Sequence, residues 1–233
     1  MYILVAVTGL LSESGGAGSS KAATEWRWIR PYESTTGWLS PIEALCLLYL
    51  AYRSGLENKA DVVEIGSFMG KSTLPLAAGC KLSRAGFVYA IDPFDGSADA
   101  FGPDPSHIVQ YRETRERHGV QGSHFEIFWR NLAAADLGSW VVPIKKLSTD
   151  IKDWDRPIRL LFVDGNHSYE SALNDYRIFE RNLVSGGYVV YHDYTTPDCT
   201  GVKQAVDEII SGGKVNRKSV RMVDRIVTWR VHG

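Results

Sequence analysis

Cysteine is scarce in this chain: Cys46, Cys80 and Cys199 are the only three in 233 residues, far apart and odd in number. That pattern excludes a disulfide framework and a C-x-x-C zinc or redox site, and it fits unpaired thiols in a reducing cytoplasm. Neither sign of charge is in excess, with 26 Lys and Arg against 27 Asp and Glu and a formal net charge of -1. A broad basic field for phosphate backbones is therefore missing, so a small-molecule partner is expected and a nucleic acid is not. Long apolar runs are missing too. The opening MYILVAVTGLL has no basic segment before it and is about half the length of a membrane span, so neither a signal peptide nor an anchor is expected. Residues 12–24, SESGGAGSSKAAT, carry no apolar period, and residues 1–25 are expected to be a flexible segment ahead of a single domain over 26–233.

What is present is an alternation of two periods. Ser40-Pro41-Ile42-Glu43 reads as a helix start, with a Ser N-cap, Pro at the first helical position and Glu placed to reach back as a capping box. The apolar run beyond it ends near Gly55. From residue 60 onward, short apolar runs alternate with helical patterns, as in βα units that build a parallel sheet covered on both faces. Strands are expected at 61–65, 87–92, 141–145, 159–164 and 187–192, and helices at 72–83, 107–117, 123–136, 168–184 and 201–211. Ala172, Tyr176, Phe179 and Leu183 follow the four-three-four spacing of one helix face. The tail reads as two further strands, 218–223 and 225–231, around a tight Val223-Asp224 turn. Trp26, Trp28 and Trp38, ahead of the first long helix, suit core or oligomer packing better than the shielding of a pocket, so a homo-oligomer is a reasonable expectation.

The segment DVVEIGSFMGKST puts an apolar strand before Gly66-Ser67-Phe68-Met69-Gly70 and a helix start at Ser72-Thr73. Glycines there let backbone N–H groups approach a ligand closely. Gly70-Lys71-Ser72 matches the end of a P-loop, but that motif needs a glycine at 65, where Ile65 stands; the dinucleotide fingerprint G-x-G-x-x-G is not met either. Glu64 on the strand would repel a polyphosphate but can accept hydrogen bonds from an amino acid's ammonium group, which suits S-adenosylmethionine (SAM). Asp92 closes the next strand, where a carboxylate can accept from ribose hydroxyls. The plainer reading of the same residues is a tight turn at Gly66 and Gly70 and a loop cap at Asp92.

In order along the chain, VVEIGSFMGKST, AIDPFDG, LLFVDGNHSYESALNDY and GGYVVYHDY resemble the class I SAM-dependent methyltransferases over about residues 36–210. More narrowly, they are similar to the metal-dependent branch with macrolide and sugar O-methyltransferases and cephalosporin-hydroxylase-like proteins. The resemblance implies an α/β, Rossmann-like fold with a central, mostly parallel seven-stranded sheet and helices on both faces. It also implies transfer of a methyl group from SAM to the hydroxyl of a small molecule. Glu64, Gly66, Ser67, Gly70 and Ser72 would surround the methionine part of SAM, Asp92 its ribose, and Ser148-Thr149 its adenine.

Asp164 closes the fourth strand and His192-Asp193 the fifth, so both emerge at the carboxyl edge of the sheet, where ligands of open α/β sheets bind. Carboxylates with water and substrate oxygens suit Mg²⁺. The resemblance places a divalent ion on Asp164 and on an acidic pair at 192–193. Histidine at 192 departs from that pattern and leaves room for Mn²⁺ or another softer ion. The alternative is that Asp164 caps the helix beginning near Ser168 and His192 satisfies a backbone group. His167, three residues beyond Asp164, can take a hydroxyl proton near neutral pH; the resemblance makes it the candidate base, and a capping or surface role is the alternative. His107, His118, His124 and His232 have no motif around them and are expected to face solvent. Residues 93–106 have the composition of a loop and form the lid candidate.

Overall fold

The computed structural model describes residues 27–95 and 123–232. The segment expected to be flexible over 1–25, the helix over 107–117, Trp26, His107, His118 and most of the lid candidate lie outside the described residues. Two strands, β1 (Asp61–Ile65) and β4 (Ile158–Val163), are buried along their whole length. Their near-continuous apolar sequence therefore belongs at the centre of a parallel sheet with both faces covered. β2 (Val88–Ile91) and β3 (Val141–Ile144) extend the sheet on one side of β1. On the other side lie β5 (Leu183–Tyr191) and then β7 (Ile226–Arg230) and β6 (Arg221–Val223), the last two in antiparallel pairing. The order β3-β2-β1-β4-β5-β7-β6 gives the expected seven-stranded, mostly parallel sheet.

Alternation along each strand divides the core in two. Val62, Leu160, Phe162 and Val190 point to the face covered by α2 (Pro41–Glu57), α3 (Thr73–Ser83) and α4 (His124–Ala134). Val63, Ile65, Leu161 and Val163 point to the face covered by α5 (Tyr169–Phe179) and α6 (Thr200–Ser211). Arg159 is fully buried at the sheet's lower end. Its guanidinium donates to the carbonyls of Ala60, Ala51 and Ala85, to Ser54 Oγ and to Cys80 Sγ, so a charge inside the core is met by five acceptors.

Several expectations need correction. The helix expected over 168–184 stops at Phe179; a 3-10 turn follows over Glu180–Asn182, and Leu183 opens β5. The apolar spacing misled because Ala172, Tyr176 and Phe179 from the helix and Leu183 from the strand all pack into the same core. A short helix, α1 (Ile29–Ser34), precedes α2 and was not expected. Trp28 and Tyr32 anchor it, edge to face at 5.8 Å, and the Tyr32 hydroxyl donates to the Leu39 carbonyl. The tail turn sits at 224–225, one residue later than expected, with Asp224 in the left-handed region. His124 is buried and stacks edge-on against Phe68, whereas His232 is exposed.

Candidate active site

The Gly-rich turn is shaped by the chain itself. Gly66 has φ +86°, and a Cβ there would lie 2.1 Å from the Asp164 carbonyl oxygen, so glycine lets the end of β1 close against the end of β4. At Gly70, φ is +89° and a Cβ would come within 3.1 Å of the Phe128 ring. Glu64 is wholly buried, and its two carboxylate oxygens accept from the Ser72 and Thr73 hydroxyls at 2.6 Å each. Burial pushes its pKa up to about 7 against those hydroxyls. Glu64, Ser67 and Ser72 are buried, and none of them lines the cavity described next, nor does Gly70. Within the chain, the Glu64 carboxylate ties β1 to the start of α3 through the Ser72 and Thr73 hydroxyls.

Above the turn, at the carboxyl edge of the sheet, lies a cavity of about 460 Å³. Gly66, Asp92, Ser148, Asp164, His167, His192 and Asp193 all line it. Asp92 accepts from the Phe68 and Phe94 amides at 2.9 and 2.6 Å, and burial still raises its pKa. The root of the lid candidate is held by Phe94, buried between Phe125 and Phe128 with ring centres at 5.2 and 4.9 Å. Trp38 also lines the cavity, its ring tilted against Phe68, so the pocket-side use of this aromatic is the one observed, while Trp28 packs in the core.

The strand ends bring a histidine among three carboxylates. His192 Nδ1 lies 3.0 Å from Asp164 Oδ1 and 3.1 Å from Asp193 Oδ2, and Nε2 lies 3.3 Å from Glu43 Oε2. The Nε2 contact is an ion pair without hydrogen-bond alignment. Burial alone would lower the His192 pKa, but the carboxylates of Asp164, Asp193 and Glu43 overcome it and raise it to about 12. Burial likewise opposes ionisation of Glu43, yet His192, the Ser40 amide and Arg225 bring its pKa down to about 2. His167 Nε2 stands 3.4 Å from Asp193 Oδ2, and its Nδ1 stands 3.4 Å from Cys199 Sγ. The N-cap of α5 is Ser168, whose hydroxyl accepts from Ser171, so Asp164 is left to the cluster rather than to capping.

A family model described as a methyltransferase domain matches residues 63–194, more than half of the chain. The chain belongs to this methyltransferase family. Among curated proteins, an uncharacterised protein, R132, of Acanthamoeba polyphaga mimivirus is 28% identical over 153 residues, 60% of the chain and 57% of that protein. The methyltransferase thus spans less than two thirds of that relative's length. Among solved structures, the O-methyltransferase NovP superposes with a TM-score of 0.64 at 22% identity, over 82% of this chain and 79% of that one. An O-methyltransferase from Bacillus cereus, solved in complex with SAH, gives 0.59 at 16% identity, over 97% of each chain. Both likenesses speak for the fold.

Two residues of the methyltransferase that pack against the His192 cluster were missed from its sequence. Glu43 was read as the capping-box acid of α2, and it does accept from the Ser40 amide at 2.7 Å. The same Oε2 also meets Arg225 at 2.9 Å and faces His192. Arg225 sits in the β6–β7 turn, donates to the Trp38 carbonyl and reaches Asp193 Oδ1 at 3.5 Å. Neither has a local signal, because the contacts span 182 residues in the case of Glu43 and Arg225. No helix among the described residues is long and apolar enough to cross a membrane.

Proposed function

We propose that the protein is a SAM-dependent O-methyltransferase acting on the hydroxyl of a small molecule such as a sugar, glycoside or other natural product, with a divalent cation on Asp164, His192 and Asp193. The observation that carries this reading is one cavity holding both a carboxylate at the end of β2 and the Asp164-His192-Asp193 cluster. Its volume, about 460 Å³, lies in the range of pockets that enclose cofactors and small ligands. Asp92, Gly66 and Ser148 are the residues that would hold SAM. SAM supplies an electrophilic methyl group on its sulfonium, and the protein supplies alignment.

The donor set suits a metal. Asp164 Oδ1 and Asp193 Oδ2 stand 3.0 and 3.1 Å from His192 Nδ1, close to the roughly 3 Å that separates neighbouring ligands around an octahedral ion with bonds of about 2.1 Å. Glu43, 3.3 Å from Nε2, stands on the side of the ring away from that donor set, where an outer carboxylate supports a ligating histidine by its charge. An imidazole in the set favours Mn²⁺ alongside Mg²⁺. A divalent ion bound there would act as a Lewis acid that lowers the pKa of a substrate hydroxyl. His167, held between Asp193 Oδ2 and Cys199 Sγ at 3.4 Å each, is the candidate base for the substrate hydroxyl.

The competing reading is a metal-independent transferase, and the same histidine favours it, since protonated His192 and Arg225 together offset most of the charge of the three carboxylates without an ion. Methyl transfer from SAM to a panel of hydroxyl acceptors, with and without EDTA, separates the two. Loss of transfer in EDTA with recovery in Mn²⁺ or Mg²⁺ supports the metal; transfer indifferent to EDTA removes it. Turnover unchanged in both Asp164→Ala and His167→Ala would overturn the assignment of roles.

A further inference from the structure

Cys199 is the one cysteine of the three that lines the cavity, and no step proposed above draws on its sulfur as a ligand. It stands at the start of α6, its amide donating to the Thr196 carbonyl at 3.0 Å. Gly201, in the first turn of that helix, lets the helix end press against the loop before α5. A Cβ there would lie 2.5 Å from both the His167 carbonyl oxygen and the Tyr169 amide nitrogen. This approach sets Cys199 Sγ 3.4 Å from His167 Nδ1, while His167 Nε2 stands 3.4 Å from Asp193 Oδ2. Cys80, by contrast, has its sulfur occupied by the Arg159 guanidinium.

Imidazole, carboxylate and thiol together make the donor set of a soft or borderline ion, not of a hard one. One ligand atom from each of the three residues lies within 4.8 Å of the other two. Zinc bonds of about 2.0–2.3 Å place neighbouring ligands of a tetrahedral site roughly 3.3–3.8 Å apart. The His167 side chain is 24% exposed, so its ring has room to turn one nitrogen toward both partners. Asp193 is already oriented: the Thr196 hydroxyl donates to Oδ1 at 2.6 Å, which leaves Oδ2 for an ion. That same Oδ2 lies 3.1 Å from His192 Nδ1, so an ion on Cys199 draws on an oxygen that the Asp164-His192-Asp193 set also needs. We infer that His167, Asp193 and the thiolate of Cys199 bind Zn²⁺ or a similarly soft divalent ion, with the fourth position open to the cavity, and that this ion holds the transferase inactive. The inhibition rests on the reading that His167 is the base and Asp193 a ligand of the activating cation; the binding does not. Sulfur donates its lone pair to the ion, and the thiol proton leaves to solvent. Mg²⁺, which takes oxygen ligands, does not compete for the sulfur.

The test adds Co²⁺, an optical stand-in for Zn²⁺, to the whole metal-free protein. The wild type is expected to develop an ultraviolet thiolate-to-cobalt charge-transfer band with the intense visible bands of a tetrahedral site, and Zn²⁺ should discharge both. Cys199→Ser and Cys199→Ala, two variants because the position is buried, should each lose the charge-transfer band while keeping the circular dichroism of the folded chain. Methyl transfer to a hydroxyl acceptor in excess Mg²⁺ should fall as Zn²⁺ is added to the wild type. Each variant, measured against its own zinc-free rate, should need at least about tenfold more Zn²⁺ for the same loss. A band missing from the wild type, or equally strong in both variants, would overturn the site. A band accompanied by undiminished transfer at saturating Zn²⁺ would overturn the inhibition, and with it the role given to His167. Absence of transfer to any hydroxyl acceptor in the zinc-free wild type would instead bring down the O-methyltransferase reading, and the cobalt spectrum would still decide the site.

Discussion

Glu64→Gln is expected to change how stability depends on pH. The carboxyl is fully buried, and burial raises its pKa from 4.5 to about 7 although the Ser72 and Thr73 hydroxyls oppose the shift. Between those values the folded chain keeps a proton that the unfolded chain has released, so stability falls as pH rises through the window and the loss is complete above about pH 7. From pH 5 to pH 8 this single group should cost the wild type about 2 to 3 kcal/mol. Glutamine does not titrate, so that loss disappears in the variant. Near pH 5 the wild type should be the more stable, because a protonated carboxyl serves Ser72 and Thr73 at least as well as an amide does. By pH 8 the gap should close or reverse. Urea unfolding of both proteins at the two pH values measures the difference directly, and titrations common to both cancel. Parallel profiles would refute the claim that Glu64 is buried, raised and tied to α3.

Three further outcomes follow from the same geometry. Gly66→Ala places a side chain at φ +86° and 2.1 Å from the Asp164 carbonyl; backbone strain of roughly 1–3 kcal/mol plus the clash should lower the urea midpoint and weaken S-adenosylhomocysteine binding together. Arg159→Met removes the guanidinium donor from the buried Ala60 and Ala85 carbonyls and from Ser54 Oγ and should destabilise the fold by at least about 3 kcal/mol in equilibrium unfolding. Glu43→Gln removes the carboxylate behind His192 Nε2, and Mn²⁺ affinity by calorimetry should fall by about 10- to 100-fold.

The strands and most helices were legible because a parallel sheet writes its own pattern: Val62-Val63 and Leu160-Leu161-Phe162-Val163 are apolar on both faces, and the breaks between them carry the turns. The edge that holds the cavity was equally legible, since Asp92, Asp164 and His192-Asp193 each close a strand and the topology brings those ends together. What was not legible is long-range pairing. Glu43 looked like a helix cap, and nothing near it in sequence announces His192 or Arg225. The tie of Glu64 to Ser72 and Thr73 was not legible either, because the direction of a strand side chain depends on which helix covers it. Leu183 satisfied a helix period from a strand because the core accepts a leucine from either.

Calorimetric titration of the wild type with S-adenosylhomocysteine, with NADH as the control, bears most directly on the central claim. The account expects saturable binding of one S-adenosylhomocysteine per chain and none of NADH. Saturable binding of NADH with none of S-adenosylhomocysteine would contradict it.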